Sequence, residues 1–91
     1  MVVTLEEAKE YLKVDQDYED NLITMLINSA EKLCADVARL DVEEYETKGE
    51  VAKVATLYAL GFMFENRSGA DVDYQKLPLI LRSLLFSIRE G

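Results

Sequence analysis

The chain has 91 residues, 49% of them apolar and 31% charged, a balance suited to one globular domain over residues 1–91 with a modest core, and not to disorder. Its formal net charge of −8 argues against non-specific grip on nucleic acid, which needs clustered Lys and Arg. Histidine is absent and cysteine occurs once, so the commonest general base and metal ligand is missing and no internal disulfide can form.

One proline and four glycines leave few turn formers, which favours helices over many short strands. The first predicted helix opens at Thr4, whose hydroxyl can accept from the amide of Glu7 while Glu7 reaches back to the amide of Thr4, a capping box. Glu6 and Glu7 lie at the positive end of its dipole and Lys13 at the negative end. Leu5, Ala8 and Leu12 share one face, and a helix this short must dock on something larger. Asp17 is a suitable N-cap for a second helix, roughly Tyr18 to Leu40, with Asp20 three residues on. Leu22, Ile23, Leu26, Ile27, Ala30, Leu33, Cys34 and Val37 follow its 3.6-residue repeat, and Glu19, Asp20, Thr24, Asn28, Glu31 and Asp36 fill the remaining surface.

Residues 41–49 carry Asp41, Glu43, Glu44 and Glu46 and read as an acidic connection with a short helical turn. A third major helix, about Glu50 to Arg67, follows. Eleven of its fourteen residues from Val51 to Phe64 are apolar and lie on every side, the pattern of a helix enclosed by others. Gly61 marks a close approach to a neighbouring helix. Ser68-Gly69 ends this helix, Gly69 suiting a left-handed cap, and the loop Ala70 to Lys76 carries Asp71, Asp73 and Tyr74. Pro78 fits the first turn of a last helix, in which Leu77, Ile80, Leu81, Leu84, Leu85 and Ile88 form the core stripe. The expected fold is all-α: a bundle of four to five helices around the helix at about 50–67.

Little in this pattern supports catalysis, and no cofactor is expected. There is no glycine-rich phosphate loop or nucleophile elbow, and Cys34 sits on an apolar stripe, where a small buried hydrophobe is a better reading than a nucleophile. Asp15, Asp17, Glu19 and Asp20 could suggest a cation site, but they lack the calcium-loop pattern, and helix capping accounts for Asp17 and Asp20. Asp71 and Asp73 read as a solvated loop. Glu6, Glu7 and Glu10 stand where a signal peptide would be basic and then apolar. The longest near-apolar run contains Lys53 and is too short to cross a bilayer. A soluble protein of a reducing compartment is expected.

Charge is also uneven along the chain. Residues 1–50 hold fourteen acids and five bases, a net of −9, whereas residues 51–91 hold four acids and five bases, a net of +1. On the last helix Leu79 and Phe86 point away from the core stripe, with Arg82 and Arg89 beside them. Isolated apolar residues are ordinary on a surface. Arginine beside an aromatic ring also suits a contact with another subunit, whose acidic first half offers opposite charge. A contact between two different patches closes into a ring or runs on as a filament.

Three segments together resemble the head–tail connector (adaptor, or head-completion) proteins of long-tailed bacteriophages. They are Val3-Thr4-Leu5-Glu6-Glu7-Ala8-Lys9-Glu10-Tyr11-Leu12-Lys13-Val14-Asp15; Glu19-Asp20-Asn21-Leu22-Ile23 through Ala30-Glu31; and the helix ending Phe64-Glu65-Asn66-Arg67, followed by Leu77-Pro78 and Leu84-Leu85 to Arg89. Met63-Phe64 stands where the family often has an aromatic-tyrosine pair, and Ser87-Ile88-Arg89 where it often has a Pro-Tyr-Arg-like ending. The resemblance implies a non-enzymatic structural protein of a phage or prophage, assembled in the bacterial cytoplasm and carried in the virion neck. Copies would form a ring under the portal, join head to tail by meeting the portal and the next connector or tail protein, and extend a channel through which DNA passes without specific binding. Glu65, Asn66, Arg67, Leu79, Arg82, Phe86 and Arg89 are the expected oligomer interface. Arg67 could equally complement the C-terminus of its own helix. A small acidic regulator or antitoxin-like module masking a basic protein is the alternative; a helix-turn-helix DNA binder is disfavoured by the charge.

Overall fold

The computed structural model describes residues 2–65 and 79–90, with side chains in the last stretch described for residues 81–88. Among the described residues five helices follow in order: α1 (Leu5–Leu12), α2 (Asp20–Val37), α3 (Val42–Glu46), α4 (Glu50–Glu65) and α5 (Leu79–Glu90). Among the described residues there is no strand, so the fold is the all-α bundle that the sequence implies. The main contact joins α2 to α4; α5 covers a second side of α4, and α1 bridges α2 and α4.

The α1 capping box forms as its sequence requires. The Glu7 amide donates to Thr4 Oγ1 at 3.1 Å and the Thr4 amide donates to Glu7 Oε1 at 3.0 Å. Ala8 is fully buried, with Leu5 and Leu12 half-buried beside it. The helix stops at Lys13, which adopts a left-handed φ of 60° while the Val14 amide donates to the Lys9 carbonyl at 2.9 Å. That pair of features is a Schellman ending built without glycine.

Two features of α2 depart from the sequence reading. Asp17 is not its N-cap: Glu19 holds that position, without a side-chain capping bond to the helix. The Asp17 and Asp20 carboxylates turn instead to the Lys9 amine, at 3.0 and 2.8 Å, so an ion pair across the α1–α2 turn outcompetes local capping. The buried line is Ile23, Ile27, Ala30, Glu31, Cys34, Ala35 and Ala38, whereas Leu22, Leu26 and Leu33 are half-buried and Val37 is exposed. Glu31 therefore lies inside, not on the surface, because the start of the chain crosses over it and the Val2 amide donates to Glu31 Oε2 at 3.3 Å. The helix ends at Val37, with the apolar repeat and short of the expected Leu40; Arg39 follows with φ 60°, and the Leu40 amide donates to the Ala35 carbonyl at 2.9 Å.

The acidic connection is held by more than a surface turn. Asp41 caps α3, accepting from the Glu44 amide at 2.8 Å, and Tyr45 is the largest fully buried side chain among the described residues. Its hydroxyl donates to the Ala52 carbonyl at 2.8 Å and lies 2.8 Å from Thr56 Oγ1. Gly49 (φ 66°) then turns the chain into α4.

On α4 the residues Ala52, Ala55, Thr56, Ala59, Leu60 and Met63 are buried. This face meets Cys34 of α2, whose Sγ lies 3.7 Å from the Ala55 carbonyl. The helix is the centre of the bundle, but Val51 and Val54 are each 39% exposed at its first turns; its apolar residues all round are enclosed only where α1, α2 and α5 reach. Leu81, Leu85 and Ile88 of α5 are buried and Leu84 is half-buried, as the stripe requires. The expectations for Ser68-Gly69, for the loop with Asp71, Asp73 and Tyr74, and for Leu77 and Pro78 lie outside the described residues, as does the side chain of Ile80.

Candidate functional site

Helical geometry places Leu79, Arg82, Phe86 and Arg89 on one side of α5, since their spacings of three, four and three keep them on one face. Leu81, Leu85 and Ile88 lie on the adjoining side and are buried. Arg82 and Phe86 are exposed, Phe86 by 58%; the side chains of Leu79 and Arg89 lie outside the described residues. Glu65 is the last residue of α4 and is exposed. Asn66 and Arg67 lie outside the described residues. Of the seven expected interface residues, Arg82 and Phe86 are thus a described exposed pair, and Glu65 stands on a different helix.

Glu65 borders a feature that the sequence reading does not include. An open groove of about 660 Å³ runs between α1 and α4, lined by Tyr11, Leu12, Tyr58, Phe62, Phe64 and Glu65. Its floor is Gly61: a Cβ there would come within 3.2 Å of Tyr11 Cε2. This is the close approach expected at Gly61, made to an aromatic side chain of α1. Burial pushes the Tyr11 phenol above its ordinary range, and the neighbouring Tyr58 and Glu65 add to the effect. The signal for the groove was present as Tyr58, Phe62 and Glu65, one α4 face at helical spacing; the all-round apolar character of α4 concealed it.

The walls of this groove are held by polar ties as well as by packing. Lys53 Nζ lies 2.7 Å from Glu7 Oε2, joining α4 to the capped end of α1. The hydrogen bond from Lys53, then that from the Thr4 amide, holds the Glu7 carboxyl below its ordinary value. Asp20 and Asp17 push the Lys9 amine upward in the same way. Cys34 is buried, with Sγ 3.7 Å from the Ala55 carbonyl, and burial pushes its thiol up to about 11. It behaves as a core side chain and not as a nucleophile. Among the described residues no group of three or more Cys, Asp or Glu is placed to hold a metal ion, and no helix is long and apolar enough to cross a membrane.

The arrangement is therefore one of surfaces: an exposed aromatic–arginine pair on α5 and an aromatic groove with a carboxylate at its rim. No curated protein and no solved structure matches the chain. Residues 2–90, however, match the family described as phage gp6-like head-tail connector protein. With nearly every residue inside that match, the chain belongs to the phage gp6-like head–tail connector family and is a phage structural protein.

Proposed function

We propose that copies of this chain assemble as a ring under the phage portal, joining head to tail and extending the DNA channel, with an outer surface for the next connector or tail protein. The observation that supports this reading most is the outward side of α5. Phe86 is 58% exposed and stands one turn from exposed Arg82. Arginine and aromatic residues are enriched where subunits meet. Residues 1–50, with a net of −9, supply surface of opposite sign on the next copy. The two surfaces differ, so the contact is heterologous and repeats around a ring. Leu79 and Arg89 extend the strip by register, and Glu65, with Asn66 and Arg67 after it, contributes the end of α4.

An acidic lumen suits DNA passage, because phosphates find few cations to hold them. Light scattering and negative-stain microscopy of the purified chain, alone and with rings of its portal protein, test the proposal. Rings, free or seated on the portal, are expected. A chain that stays monomeric in both, or that forms only a one-to-one complex with a basic cellular protein, points to the acidic-regulator reading instead.

A further inference from the structure

We propose that the α1–α4 groove is the receptor for the α5 strip of the neighbouring copy, with Phe86 seated between Tyr58 and Phe62 and Arg82 meeting Glu65. This deepens the ring reading and rests on it. The chemistry of the two surfaces is complementary. The groove offers aromatic rings and one carboxylate, and α1 beside it adds exposed Glu6 and Glu10. The strip offers one aromatic ring and one guanidinium, which pairs with a carboxylate and also stacks on ring faces.

Spacing agrees with charge. Four residues on α5 separate Phe86 from Arg82 by about 6 Å along the helix, while the positions between Tyr58 and Phe62 lie roughly 5–10 Å from Glu65 along α4. The matched polarity makes the docked helices antiparallel. Gly61 keeps the floor clear, since any larger residue would press against the Tyr11 ring 3.2 Å away. The carboxylate, and the lack of a cation among the described lining residues, disfavour a nucleic-acid occupant, so the occupant is a second copy of this chain.

Cysteine cross-linking tests the pairing cleanly, because Cys34 is buried. Chains carrying Tyr58→Cys and chains carrying Phe86→Cys are oxidised separately and as a mixture, at a concentration where light scattering shows the native chain assembled. A disulfide-linked dimer in the mixture, and in neither sample alone, is the expected result. Glu65→Arg and Arg82→Glu should each weaken assembly about tenfold or more, and the double swap in one chain should restore most of it. Native assemblies in which Tyr58→Cys and Phe86→Cys fail to link, or in which Phe86→Cys links to itself, overturn this pairing and leave the ring standing. A native chain that never assembles overturns both.

Discussion

Tyr45 shows how one residue inside a polar stretch can carry a contact between elements. Among four acids, residues 41–49 read as a connection, because a lone tyrosine has no period to reveal it. In the structure it is fully buried and bonded to Ala52 and Thr56, which fixes α3 against α4. Burial drives its phenol upward, so it stays neutral and keeps donating. Tyr45→Phe retains the ring but strips the Ala52 carbonyl and the Thr56 hydroxyl of a partner. It should cost about 1–2 kcal/mol, read as a lower urea midpoint at unchanged slope. An unchanged midpoint would mean that water replaces the hydroxyl.

Glu31 is the second residue that sequence places wrongly, since a glutamate in a helical surface position is the ordinary expectation. It is 3% exposed, and burial, followed by the nearby Glu46 carboxyl, raises its pKa. A folded state that holds the proton more tightly gains stability below the unfolded value of 4.5. That gain is lost as pH rises through the higher folded value. Glu31→Gln imitates the protonated form. Melting temperatures of variant and native protein should therefore coincide near about pH 4, and the variant should melt higher at about pH 7. A variant that melts lower at neutral pH would show that the Val2 amide stabilises the charged carboxylate instead.

At the scale of elements, what sequence revealed was local. The α1 cap depends on residues three apart, and the core stripe of α5 depends on a repeat within one helix, so both could be read from the chain. The left-handed turns that close α1 and α2 could not, because Lys13 and Arg39 each take a φ of 60° without the glycine that usually announces it. Left-handed backbone costs an L-residue about 1–2 kcal/mol, part of which glycine returns through its freer unfolded state. Both side chains are exposed, so little contact is lost. Lys13→Gly and Arg39→Gly should each stabilise the chain by about 0.5–1 kcal/mol, and the two gains should add because the caps are independent. Chemical denaturation of the two single variants and the double variant checks this. A loss of stability in either would mean that its side chain holds the turn.

For the whole molecule, the apolar character of α4 foretold a central helix, but not which parts of it stay open, since that depends on how far the neighbouring helices reach. Val51 and Val54 remain partly exposed at one end and the aromatic groove opens near the other. Assembly is then a question of surface and can be separated from folding. Arg82 and Phe86 are exposed, whereas Leu81 and Leu85 beside them are fully buried. Phe86→Asp combined with Arg82→Glu should leave monomer stability within about 1 kcal/mol, because each is a surface change. The same double change puts two carboxylates where the strip must meet an acidic copy, and like charges brought together across an interface cost several kcal/mol. Rings should be absent in negative stain while helicity and melting temperature stay nearly native. Assembly of the native chain should also weaken as salt rises, because its attraction is between exposed charges. Unfolding of the double variant would instead place Arg82 and Phe86 in the core, and rings that persist would move the contact elsewhere.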